Sequence, residues 1–335
     1  MTKKIISASK YVISLFVAVV LLYYVFRGWD LGDVVSRFKQ VNYSWVLLSV
    51  FLSIISHILR AYRWNLLLVP VGYKSLSTYR TFKAVMIGYL TNLVAPRLGE
   101  ITRCGVLKRT DGVNMSASIG TVVAERIFDF LGLLSLIVFA LALEFDRLSN
   151  FFVDFMNDKL GGLQMTTAKL GLFLFIGFIL AVGLLTLWWF RERIKRKPLY
   201  YKIRSFIREM IHGFTSVLRL EKKRWFWLST IFIWVLYYVM AYVLFFSVES
   251  TSHLGLTAGL SVLIMGGLGM SAPVQGGFGT YHIFVGSVLL TYGIAEKDGF
   301  FFATLVHTSQ TLSVMIFGGI SLLLTLQAKK KFNNN

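Results

Sequence analysis

Eight ionisable side chains crowd one part of a chain otherwise built for lipid. Arg60, Arg63, Arg97, Glu100, Arg103, Glu125, Arg126 and Asp129 fall in or beside long apolar runs, in a sequence that is 56% hydrophobic and only 15% charged. A charge at the centre of a membrane helix costs at least ~2.5 kcal/mol on insertion scales, so each is a candidate for function. Spacing sorts them. Glu125 and Asp129 are i,i+4 and share a helix face, and Arg126 is i,i+3 to Asp129 and can pair with it. That trio reads either as an ion-pair staple between helices or as a coupling group. Arg60 and Arg63, in Arg60-Ala61-Tyr62-Arg63-Trp64, either help to bind a substrate or snorkel to headgroups while Trp64 anchors the interface.

Arg97 follows a proline at membrane depth. A helix beginning near Leu98 would turn unsatisfied N–H groups and a positive dipole end toward that point. With Arg103 nearby, a phosphate or carboxylate would complement the site. The eight residues comprise five Arg and three acids, a residual charge of +2 that an anionic ligand would balance. Glu100 pairing with Arg97 or Arg103 would weaken that case.

The proline belongs to a repeated signal. Ala95-Pro96-Arg97-Leu98-Gly99 interrupts one apolar segment, and Ala272-Pro273-Val274-Gln275-Gly276 interrupts another, in a chain with four prolines. Proline removes a backbone donor, and glycine permits angles that other residues avoid. In lipid such breaks are tolerated only where they are buried in protein or line a wet cavity, and a matched pair points to a transporter's binding site. Pro96, Gly99 and Pro273 make the breaks. Gly276, Gly277 and Gly279 either expose backbone N–H groups to a headgroup or let helices pack closely. His282 and His307 lie in the helices that follow, with no role assigned.

The elements that must carry these residues follow from hydrophobic length. Full spans are predicted at about Ile5–Phe26, Tyr43–Val69, Ser116–Leu143, Thr167–Phe190, Trp225–Val248 and Phe300–Leu326. Broken hairpins are predicted at about Phe82–Leu107 and Leu254–Tyr292. The expected fold is all-α: a polytopic membrane protein of about six full transmembrane helices plus two broken or re-entrant hairpins in an inverted repeat. It is one domain, 1–335, with halves 1–165 and 166–335. Lys3, Lys4 and Lys10 precede an apolar run without a cleavage site, so Met1–Phe26 reads as a retained helix.

Charge orients these spans. The segment 191–224 holds twelve Lys or Arg against Glu192, Glu209 and Glu221, and belongs in the cytoplasm by the positive-inside rule. The acids Glu144, Asp146, Asp154 and Asp158 mark an external loop. Both termini then lie inside, and the two hairpins enter from opposite faces. Within the basic segment, residues from Ile203 to Leu218 alternate apolar and basic at helical spacing, forming an amphipathic helix that reads as a structural elbow or as a lipid or partner surface.

The net charge of +19 is assigned to these membrane ends, with no nucleic-acid partner, because no recognition motif accompanies it. One cysteine, Cys104, excludes an intrachain disulfide and any multi-cysteine metal site. No P-loop and no His-Glu-x-x-His is present. No metal, cofactor or catalytic residue is therefore expected.

Four motifs occur in order: Arg60-x-x-Arg63-Trp64, Asn92-x-x-x-Pro96-Arg97-x-Gly99-Glu100-x-x-Arg103, Glu125-Arg126-x-x-Asp129 and Pro273-x-x-Gly276-Gly277-x-Gly279. Together they resemble the lysylphosphatidylglycerol synthase transmembrane-region family, the flippase-like domain of multiple peptide resistance factor proteins and of stand-alone inner-membrane proteins. The resemblance implies a multi-pass protein of the bacterial inner membrane, related to domains that move aminoacylated phosphatidylglycerol between leaflets. It carries Asn92 and the matching residues above into the candidate site. These 335 residues hold no aminoacyltransferase domain, so a transporter rather than an enzyme is expected. Many relatives carry Glu where this chain has His282. The expected function is translocation of an anionic phospholipid or polyprenyl-linked phosphate, with Arg97 and Arg103 on the phosphate. The alternative is a non-transporting membrane partner of a separate synthase or glycosyltransferase.

Overall fold

A computed structural model describes residues 29–145, 198–272 and 274–333, together with 16, 19–23 and 27. The predicted span at Thr167–Phe190, most of the one at Ile5–Phe26, Pro273 and all but the start of the acidic loop lie outside the described residues. Those described are helical or in turns: α1 (Leu31–Lys39), α2 (Tyr43–Leu68), α3 (Thr78–Val94), α4 (Gly99–Asp111), α5 (Met115–Leu143), α6 (Pro198–Phe214), α7 (Lys223–Val243), α8 (Leu256–Ser271), α9 (Thr280–Leu290) and α10 (Glu296–Asn333).

Four stretches are long and apolar enough to cross a membrane: Tyr43–Val71, Met115–Leu143, Lys223–Ser247 and Glu296–Gln327. They match four of the six predicted spans. The interrupted segments appear as the pairs α3–α4 and α8–α9. Short side chains set the starts. Asn42 accepts from the Ser44 N–H at 3.2 Å to begin α2, and Asn114 accepts from the Ala117 N–H at 3.0 Å to begin α5. Gly112, at φ 68°, closes α4 in the left-handed region.

Hydrogen bonds identify the two ends of the bundle. At one end the Asn42 N–H donates to Ser247 O at 2.9 Å, joining the start of α2 to the turn after α7. At the other, Asn65 Nδ2 donates to Leu76 O at 3.3 Å, and Lys74 pairs with Glu221 at 3.2 Å. The α3–α4 pair therefore begins at the second end and the α8–α9 pair at the first. α10 packs along a helix of each pair, and α2 packs along α3 and α7, so continuous helices flank both breaks.

Two features were not read from the sequence. α1 is only nine residues long, too short to stand out in a hydropathy profile. Its Arg37 forms an ion pair with Asp298 and lies 5.9 Å from the Phe301 ring centroid, which ties α1 to the start of α10. The amphipathic helix is α6, and it lies against α5 rather than on its own. A Cβ on Gly213 would stand 2.1 Å from Ala117 O, and one on Gly120 2.0 Å from Met210 O. The two backbones touch at these glycines, while Phe206, Ile207 and Ile211 stay exposed. Gly213→Ala is expected to cost about 1–3 kcal/mol by overpacking, read as a lower Tm in detergent, with Gly319→Ala, a helical position that meets nothing within 4 Å, as the control.

Candidate functional site

Three helices carry charge into the interior at one place. α2 supplies Arg60 and Arg63, α4 supplies Arg103, and α5 supplies Glu125, Arg126 and Asp129. Arg60 Nη2 lies 2.7 Å from Glu125 Oε1 and 2.9 Å from Asp129 Oδ2. Arg63 Nη2 lies 2.5 Å from Asp129 Oδ1 and 3.4 Å from Glu125 Oε1. Arg103 reaches Glu125 Oε2 at 2.9 Å, and Arg126 reaches Glu125 Oε1 at 3.3 Å. The side chains of Arg63 and Glu125 are fully buried, and those of Arg60 and Arg103 nearly so. At 1.5 Å per residue, Arg60 sits ~12 Å from the end of α2 and Glu125 ~15 Å from the start of α5, well inside a ~30 Å hydrocarbon layer.

Neutral groups complete the frame. Arg60 Nη1 donates to Tyr237 Oη at 2.9 Å, and Arg63 Nη1 to Thr230 Oγ1 at 3.4 Å. Trp64 Nε1 donates to Thr121 Oγ1 at 2.9 Å, and the Arg103 guanidinium lies 4.6 Å from the Trp64 ring centroid. Four guanidinium groups face two carboxylates, so two positive charges are left over. The Nε atoms of Arg60, Arg63, Arg103 and Arg126 are buried without a hydrogen bond, and so is Glu125 Oε2, whose contact with Arg103 is not aligned as one. An excess of positive charge with unused donors is chemically suited to an anion.

This arrangement bears on four expectations. Arg60 and Arg63 do not snorkel; both are buried against carboxylates. Arg126 makes the expected i,i+3 ion pair with Asp129, at 3.7 Å, and a closer one with Glu125. Arg103 does not join Arg97, because α4 turns it into the cluster. Glu100 forms no ion pair with either arginine among the described residues, and its buried Oε2 has no hydrogen bond.

Arg97 belongs to a second centre, where the two breaks meet. Its φ of 62° is the only positive value at a non-glycine among the described residues. This left-handed turn, directly after Pro96, sends its exposed side chain across to the other break, where Nη2 donates to Ser271 O at 2.7 Å. In return, Gln275 Nε2 donates to Val94 O at 2.9 Å. Val94 and Ser271 are the last residues of α3 and α8. Each break therefore caps the helix C-terminus of the other, at carbonyls in equivalent positions of the two Ala-Pro-x-x-Gly signals. In lipid a helix-end carbonyl left without a donor is costly, which is why this mutual supply matters.

Asn92 and the glycines shape the turns. Asn92 Oδ1 accepts from the Gly99 N–H at 2.7 Å, satisfying one donor at the start of α4. Gly276 has φ 55°, and its carbonyl accepts from His307 Nε2 at 2.8 Å. Gly279 has φ 82°, and its N–H donates to His282 Nδ1 at 3.3 Å. A Cβ on Gly277 would stand 2.4 Å from Met270 Sδ, and one on Gly279 2.2 Å from Leu21 Cβ. Of the two readings for these glycines, close packing is the one that their surroundings fit. Gln275, Ser271 and Tyr237 were not anticipated. Gln275 stands inside a quoted motif, but Ser271 acts through its backbone and leaves no sequence signal.

A family model described as the lysylphosphatidylglycerol synthase TM region matches residues 11–318. No curated protein and no solved structure matches this chain.

Proposed function

The chain belongs to the lysylphosphatidylglycerol synthase transmembrane-region family, and on that premise we propose that it is a lipid translocase rather than an enzyme. Its cargo would be an anionic phospholipid or polyprenyl-linked phosphate, moved between leaflets of the bacterial inner membrane. The observation that carries the reading is the buried arginine cluster, with two more positive charges than negative, beside a pair of mutually capped helix breaks. Arg97 stands exposed at the meeting of the breaks and would be the first cation that a phosphate meets. The cluster behind it supplies the residual charge that attracts an anion to that depth. In this reading the two halves form an inverted repeat of about six full spans and two hairpins, and both termini face the cytoplasm. Asn92, Gly276, Gly277 and Gly279 shape the tips, and Glu125, Arg126 and Asp129 fix the arginines.

Reconstitution tests this directly. Liposomes holding the protein and a fluorescently labelled phosphatidylglycerol are exposed to an impermeant quencher, and the rate of loss of inner-leaflet signal is measured. Arg97→Ala is expected to lower the protein-dependent rate roughly tenfold or more, as a charge-assisted hydrogen bond is worth about 1.5–3 kcal/mol. Equal rates in liposomes with and without the wild-type protein would remove the translocase reading.

A specific feature favours the second reading, a membrane partner of a separate synthase or glycosyltransferase. α6 exposes Phe206, Ile207 and Ile211 beside Arg204 and Arg208, a face on which another protein could seat. Co-purification with such an enzyme, together with no lipid transfer by the isolated chain, would establish it.

A further inference from the structure

The segment Gly276–Gly279 is gripped at both of its ends by an imidazole. His307 Nε2 meets the Gly276 carbonyl at 2.8 Å, and His282 Nδ1 meets the Gly279 N–H at 3.3 Å. A carbonyl oxygen only accepts and a backbone N–H only donates, so the chemistry fixes both rings. His307 must carry its proton on Nε2, and His282 must keep Nδ1 bare. Both side chains are buried, and the ring centroids are 5.0 Å apart. Among the described residues, the titratable ring in contact with both is Tyr281 of α9, which lies 5.3 Å from His307 and 6.2 Å from His282. Among the described residues, Phe278 packs against His307 and Leu21 lies beside Gly279.

We propose that His282 and His307 form a proton-sensitive clamp on the second break, closed only while both imidazoles are neutral. The one lone pair on a neutral His282 ring is the Nδ1 pair already holding the Gly279 N–H. A proton arriving there sets two donors face to face and expels Gly279, which is also the N-cap residue of α9. The one lone pair on His307 is on Nδ1, buried and without a hydrogen-bond partner. A proton there creates a buried cation whose new N–H has no acceptor. Either event favours the open segment, where water can solvate the charge. Two imidazolium rings this close repel, so opening is linked to the uptake of one proton.

The clamp bears on the contact between the breaks. Gly276 follows Gln275, whose Nε2 supplies Val94 O, so release at Gly276 loosens the residue that caps α3. This goes beyond the translocase reading and does not depend on it.

The test uses the full chain in nanodiscs of phosphatidylethanolamine and phosphatidylglycerol. Amide hydrogen exchange over residues 275–283, normalised for the intrinsic pH dependence of exchange, is followed from pH 8 to pH 5. Protection in the wild type is expected to fall about tenfold for each pH unit below ~6.5, as the open imidazole binds its proton. The double variant His282→Gln/His307→Gln, which can keep both hydrogen bonds but cannot titrate, is expected to hold constant protection. Ring-nitrogen NMR of the wild type at pH 8 gives a check that needs no variant: both histidines should be protonated on Nε2 alone. Protection that is flat with pH in the wild type, a double variant that follows the wild-type curve, or a proton on Nδ1 of either ring at pH 8 would each overturn the clamp. None of these outcomes reads lipid transfer, so the clamp and the translocase reading fail separately.

Discussion

Glu125→Gln is expected to cost the fold about 3–5 kcal/mol, seen as a large fall in the Tm of the detergent-solubilised protein. The Glu125 side chain is fully buried and lies within 3.4 Å of Arg60, Arg63, Arg103 and Arg126. Neutralising it leaves Asp129 as the one carboxylate of the cluster against four guanidinium groups, three of them buried. The amide makes this worse, because its NH2 presents donors to groups that only donate. Glu125→Asp keeps the charge and should cost less. The pair Arg103→Gln/Glu125→Gln should be more stable than Glu125→Gln alone, since it removes one of the stranded cations, with a coupling of about 0.5–3 kcal/mol. A Tm for Glu125→Gln equal to that of the wild type would show that the cluster is not held by its shared carboxylate.

The second large effect falls on a residue with no charge. Gly99→Ala is expected to destabilise the protein by roughly 2–4 kcal/mol, from overpacking together with loss of a helix cap. A Cβ on Gly99 would stand 2.2 Å from Gly88 O and 2.7 Å from Asn92 Cγ. Neither can give way cheaply: the first is helix backbone, and the second is the side chain that accepts from the Gly99 N–H. α3 and α4 would be forced apart just where the chain reverses. The measurement is again Tm, with Gly105→Ala in the same helix as a control, because nothing lies within 4 Å of a Cβ there. Equal melting of the two variants would mean that α3 and α4 are not in backbone contact in the membrane.

Much of this site was legible because lipid makes polar residues conspicuous. Apolar length located the four long spans, and the prolines located both interruptions. Which charges meet was harder to read. Helical spacing places Glu125 and Asp129 on one face, but it cannot say which neighbouring helix they address. Hence Arg60 and Arg63, consistent in sequence with a headgroup contact, turn out to be their partners. Arg97 and Arg103, both expected on a phosphate, reach different neighbours for a geometric reason that the spacing already held. Six residues at 3.6 per turn put two side chains on different faces, and Arg97 precedes α4 rather than riding on it. The reciprocal caps were out of reach, since their acceptors, Val94 O and Ser271 O, are backbone atoms that every residue possesses.

Those caps have a bearing on motion. If the two tips part, Arg97 leaves Ser271 O and Gln275 leaves Val94 O, so two helix-end carbonyls lose their donors together. Each such loss costs on the order of several kcal/mol unless a new donor arrives at once. Dry separation is therefore forbidden in practice. Whatever parts the tips must bring hydrogen-bond donors with it, and water is the obvious supply. Movement and wetting at this point are one event, and a solvent that hydrates poorly should freeze the tips in contact.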